Sequence, residues 1–158
     1  MAVLAIFVVV ATIAGCATTP KTTMTPMQIQ SLQTHEFETT KGTAFNSVLS
    51  VFQNLGYIVE SADKDTGFIT ATSPSSNATG FWEAMNGVTA TGETKATAFV
   101  EEIHPGTTRV RLNFVNSEHR SAARGQSNTL DNKILDAKVY QNAFNKIGTA
   151  IFVREGQQ

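Results

Sequence analysis

Residues Phe45–Ser73 run FNSVLSVFQNLGYIVESADKDTGFITATS. Phe45, Val48, Leu49, Phe52 and Leu55 recur at steps of three and one, which sets an apolar stripe on one helical face, and Gly56 supplies the left-handed residue that ends helices. Tyr57–Ala62 and Gly67–Ser73 are then short β-branched and aromatic runs around the polar turn Asp63-Lys64-Asp65-Thr66, a hairpin pattern. The period therefore changes from helix to strand within one continuous stretch. Working outward, Glu93–Ile103 and Thr107–Asn116 flank the turn His104-Pro105-Gly106. In the second of these Val110, Leu112 and Phe114 alternate with Arg109, Arg111 and Asn113, so one sheet face is core and the other charged. From about Lys133 to Phe152, apolar residues including Ile134, Tyr140, Phe144 and Ile147 return to helical spacing.

Toward the N-terminus, residues 31–39 alternate loosely as a first strand, which Lys41-Gly42-Thr43 breaks. The expected order is β-α-β-β-β-β-α. Two amphipathic helices and a one-sided antiparallel sheet bury each other's apolar surface, so the fold class is α+β, with about five strands and both helices on one face. Leu49 and Phe144 are expected core residues, one from each helix. Residues 1–104 carry 4 basic and 9 acidic side chains, and residues 105–158 carry 8 and 4. This asymmetry is expected to be satisfied internally, between neighbouring acidic and basic strands; a basic docking patch is the alternative.

The whole chain has 158 residues and a formal net charge of −1, which suits one domain and counts against nucleic acid as a partner, because phosphate binding needs clustered Lys and Arg. Residues 2–15, AVLAIFVVVATIAG, are uncharged and too short to span a ~30 Å hydrocarbon core, but have the length of the apolar region of a secretory signal. The basic residues that normally precede such a region are missing, which suggests that translation starts upstream of Met1. Ile13-Ala14-Gly15-Cys16 resembles the lipobox of bacterial lipoproteins. That resemblance implies cleavage after residue 15 and acylation of Cys16, the one thiol in the chain, and Ala17 behind it implies sorting to the outer membrane with the domain facing the periplasm. The expected organisation is a signal peptide over 1–15, the acylated Cys and a flexible Thr- and Pro-rich tether over 16–30, and one α+β domain over 31–154. Several buried acyl chains at ~0.8 kcal/mol per CH2 would make the membrane anchor permanent.

Leu32-Gln33-Thr34-His35-Glu36-Phe37, the stretch Val51–Ser73 and the closing VYQNAFNKIGTAIF of Val139–Phe152 resemble a group of small proteobacterial outer-membrane lipoproteins, similar in element order to the domains of the BamC lipoprotein of the outer-membrane assembly machine. His35 stands where that group would be expected to have a basic residue. The resemblance implies a fold and a compartment; its motifs are packing and turn residues.

Chemistry is sparse. His35, His104 and His119 have no spacing that sets two imidazoles on one metal. Asp63–Gly67 opens like a calcium loop, but its glycine comes one place early and Pro74 holds the position of the bidentate Glu. No GxSxG nucleophile motif occurs, and neither catalysis nor a cofactor is expected. Residues 74–92, PSSNATGFWEAMNGVTATG, form an unusually long connection that carries the one Trp. Phe81, Trp82 and Met85 are the candidate partner-binding residues, since aromatic and Met side chains are enriched in interface cores; a lid folded onto its own core is the plainer reading. The polar loop from Asn116 to Asn132, with Arg120 and Arg124, is expected to be solvated. The expected function is a non-enzymatic, outer-membrane-anchored lipoprotein whose periplasmic domain binds another envelope protein. The alternative is a small-ligand carrier or sensor, which would need a cavity of at least ~300 Å3 between sheet and helices, lined by Tyr57, Phe99 or Tyr140.

Overall fold

The computed structural model describes residues 24–73, 93–121 and 127–157. Over these residues the chain runs α1 (Pro26–Gln33), β1 (Thr34–Phe37), α2 (Lys41–Asn54), β2 (Ile58–Asp63), β3 (Phe68–Ser73), β4 (Glu93–His104), β5 (Thr107–Ser121), β6 (Ser127–Lys133) and α3 (Ala137–Glu155). The class is α+β. All strand pairs are antiparallel, in the order β2-β3-β4-β5, and the outer edge of β5 is shared: β1 pairs with Thr108–Arg111 and β6 with Val115–Ser121.

Helix α2 starts where Thr40 caps it, its hydroxyl accepting from the Thr43 N–H at 3.3 Å. It stops in a Schellman motif: Gly56 takes φ 81°, its N–H donates to the Gln53 carbonyl and the Tyr57 N–H to the Phe52 carbonyl, both at 3.0 Å. The apolar stripe of α2 meets a sheet that is small at its centre, with Ala71, Ala96 and Ala98 buried on β3 and β4, and large on β5, with Leu112 and Phe114. That taper leaves room for Phe52, whose ring lies 5.7 Å from Tyr57 and 6.5 Å from Phe114, and Tyr140 of α3 closes against Phe114 at 5.3 Å. The space between sheet and helices is filled by these rings.

Five local expectations are corrected. Helix α1 occupies residues expected to be tether and strand, because Thr25 and Gln28 form a reciprocal capping box and Pro26 sits at the first helical position. The first strand is therefore only Thr34–Phe37. The loop expected from Asn116 to Asn132 is largely strand: β5 continues to Ser121 and β6 returns along it, with residues 122–126 outside the described part. The last helix begins at Ala137, capped by Asp136, while the Ile134 N–H donates to the Phe114 carbonyl at 2.9 Å and so belongs to the sheet. Phe144 is buried as expected, but Leu49 is half-buried and packs on the rim of the core.

Candidate functional site

The sequence of α3, AKVYQNAFNKIGTAIFVRE, carries two stripes. Val139, Tyr140, Ala143, Phe144, Ile147 and Ile151 are buried in the core. Asn142, Asn145, Lys146, Thr149, Ala150 and Val153 repeat at the same three- and four-residue steps on the neighbouring face, and with Ser50, Val51, Asn54 and Leu55 of α2 they line a groove of about 730 Å3. Arg154 ties the two helices together here, donating from Nη2 to the Asn46 carbonyl at 3.3 Å and to the Ser50 hydroxyl. Its apolar lining is Val51, Leu55, Ala150 and the more exposed Val153; the rest is amide, hydroxyl and cation. No Asp or Glu lines it, and among the described residues neither Lys146 nor Arg154 has a carboxylate within ion-pair distance. The groove is open to solvent, and its lining does not include Tyr57, Phe99 or Tyr140.

The opposite face of the sheet is more self-satisfied. Arg109 on β5 faces Glu101 on β4 and Glu36 on β1 in register, and its guanidinium reaches Glu36 Oε1 at 2.8 Å and Glu101 Oε1 at 3.5 Å. Acidic and basic strands thus neighbour one another, as the charge asymmetry implies. In the adjacent row Phe68 lies against Phe99 with ring centroids 4.6 Å apart, and Arg111 comes next in register. A smaller cleft of about 350 Å3 separates α1 from this face, with Met27, Arg109 and Arg111 among its walls.

Cys16, Phe81, Trp82 and Met85, the site residues expected from sequence, all lie outside the described residues. His35 stacks on Phe144 at 5.2 Å and lies edge-on to Phe37 at 4.7 Å, an aromatic cover at the β1 edge of the core. His104 is exposed at the end of β4. Asp63 serves its own turn: Oδ1 accepts from the Asp65 N–H at 2.9 Å and the Thr66 N–H at 3.4 Å. The Thr66 side chain and these two N–H groups hold its carboxyl below the usual carboxylate range. Burial pushes the Tyr57 and Tyr140 phenols up. Among the described residues, no three His, Cys, Asp or Glu side chains converge on a position that could hold a metal ion. No described helix is long and apolar enough to cross a membrane.

The groove residues do not stand out in the sequence because Asn, Thr and Lys at helical spacing look like an ordinary solvated face; the signal they carry is the second three-four stripe beside the apolar one. No protein-family model and no curated protein sequence matches the chain.

Proposed function

We propose that this chain is an outer-membrane lipoprotein, acylated at Cys16, whose α+β domain docks another envelope protein on the periplasmic side and carries no catalytic activity. The observation that supports docking is the groove between α2 and α3, about 730 Å3 with an apolar floor and a polar rim. A surface that combines a desolvatable floor with rim groups able to keep their hydrogen bonds has the anatomy of a protein interface. The anchoring half rests on Ile13-Ala14-Gly15-Cys16, which offers a thiol directly behind small residues. Phe81, Trp82 and Met85 are proposed as additional apolar anchors for the same partner.

The test uses the full chain in intact envelopes, with a photo-crosslinking residue placed at Lys146 and, separately, at Phe68, exposed on the opposite face of the sheet. Crosslinks to a discrete envelope protein from position 146 and not from 68 are expected, together with acyl mass on Cys16. Cys16→Ser should release the chain from the membrane or leave an uncleaved, lipid-free precursor. An unmodified Cys16 in the membrane fraction would overturn the anchor, and an identical crosslink pattern from both positions would overturn the docking groove.

A further inference from the structure

We propose that the groove between α2 and α3 receives an acidic amphipathic helix of the partner protein. This rests on the docking function proposed above and deepens it by naming the chemistry of the occupant. The shape of the site selects a helix. From Asn142 to Arg154 the α3 wall is about 18 Å long at ~1.5 Å per residue, so a helix of some three turns would fill it. The side chains that α3 presents are mostly small or short, Asn, Thr, Ala and Val, and these allow a third axis to approach within the ~8–10 Å typical of packed helices. Val51, Leu55, Ala150 and Val153 form a floor that suits apolar anchors at i, i+3 or i+4, and i+7.

Charge decides which helix. Lys146 and Arg154 stand eight residues apart on one wall, about 12 Å along the axis at ~1.5 Å per residue, and no carboxylate among the lining residues answers either. A ligand helix with Glu or Asp two turns apart beside its apolar face would meet both cations. A second copy of this chain is disfavoured by the same count, since self-docking of α3 would bring its cations against those of its twin. Residues 17–23, ATTPKTT, hold one Lys and no acid, so the N-terminal tether does not supply the complementary charge.

The experiment takes the acylated full chain in lipid nanodiscs, with empty nanodiscs as blank, and two fluorescent peptides of about 14 residues with the same Leu face. One carries Glu and the other Lys at the flanking positions. Anisotropy should show the Glu peptide binding about tenfold tighter at roughly 50 mM salt, a preference that shrinks as salt screens the rim charges. Lys146→Glu, at an exposed position, should abolish the preference, since it leaves one carboxylate and one cation on the wall, and Ala150→Trp, which fills the groove, should abolish binding of both peptides. Circular dichroism of each variant checks that it is folded. Equal binding of the two peptides would overturn the acidic helix while leaving the docking groove intact. Binding of neither would also overturn it, and only the further loss of the crosslink from position 146 would remove the docking function itself. Concentration-dependent dimerisation broken by Ala150→Trp would replace the partner helix by a second copy.

Discussion

Two glycines with nearly the same backbone angle give a sharp test of how the sheet is assembled. Gly67 closes the β2–β3 turn with φ 85°, and Gly106 closes the β4–β5 turn with φ 77°. Replacing either by Ala puts a Cβ on a left-handed residue, at a cost of about 1–2 kcal/mol. The surroundings then separate them. At Gly106 no atom lies within 4 Å of the new Cβ, whereas at Gly67 it would enter the shell of the Val100 carbonyl oxygen and sit 3.1 Å from the carbonyl carbon. The turn must therefore lift away from β4. Doing so stretches the bond from the Val100 N–H to the Gly67 carbonyl, now 2.9 Å, and Val100 is fully buried, so the donor is left without water. An unsatisfied buried donor adds about 1–3 kcal/mol, which brings Gly67→Ala to roughly 2–5 kcal/mol against ~1–2 for Gly106→Ala. For a domain of this size about 3–5 °C of melting temperature is lost per kcal/mol, so thermal denaturation should show a drop of roughly 6–25 °C for the first variant and a smaller one, about 3–10 °C, for the second. Equal drops would mean that backbone angle alone sets the cost and that the turn does not bear on β4.

Phe144→Ala should cost about 3–5 kcal/mol in urea denaturation, as truncation of a buried aromatic does, while Leu49→Ala, at the half-buried rim, should cost clearly less; equal costs would contradict the placement of α2. The Asp63 carboxyl is depressed in the folded state by the Thr66 side chain and by the turn N–H groups, so its contribution is present above the unfolded carboxylate pKa of ~3.9 and disappears as pH falls through the lower folded value. Asp63→Ala should accordingly narrow the stability gap to wild type as the pH is lowered into that range, and urea midpoints whose gap stays constant with pH would refute the capping role.

The strong periods were legible and the weak ones were not. Helix α2, the β2–β3 hairpin and the β4–β5 pair each bury one face, so Phe52, Ile69 and Leu112 had to recur at the spacing of their element. Strand β6, SNTLDNK, has Leu130 as its one apolar side chain, so no alternation could announce it; four of the seven β5 residues it pairs with lie beyond Ser117, where the pairing with β4 ends. Helix α1 has no buried residue and hence no stripe, yet its start was written in Thr25-Pro26-Met27-Gln28, a capping box with Pro at the first position. The groove failed to stand out for a related reason: its α3 wall is polar, and helical spacing of polar residues acquires meaning only when a second helix is seen to lie beside it.

The edges of the sheet bear on how a partner would approach. Strand addition needs a long, regular edge with free backbone groups. On one side β1 offers four residues, and the rest of that edge is β6, seven residues with the charged Asp131 and Lys133 exposed along it. On the other, β2 has the length, but its register shifts between Val59 and Ser61, and Glu60 and Asp63 stand exposed along it. A bulge and acidic side chains are the usual means by which a sheet edge is kept from pairing with another strand. The Thr72 hydroxyl bond to Glu60 Oε1 at 2.7 Å further ties this edge to its own sheet. With the sheet edges blunted and Arg109 on the outer sheet face held between Glu36 and Glu101, the helix pair offers, among the described residues, the larger groove, lined by apolar side chains and two cations, which is why the proposed partner enters as a helix and not as a strand.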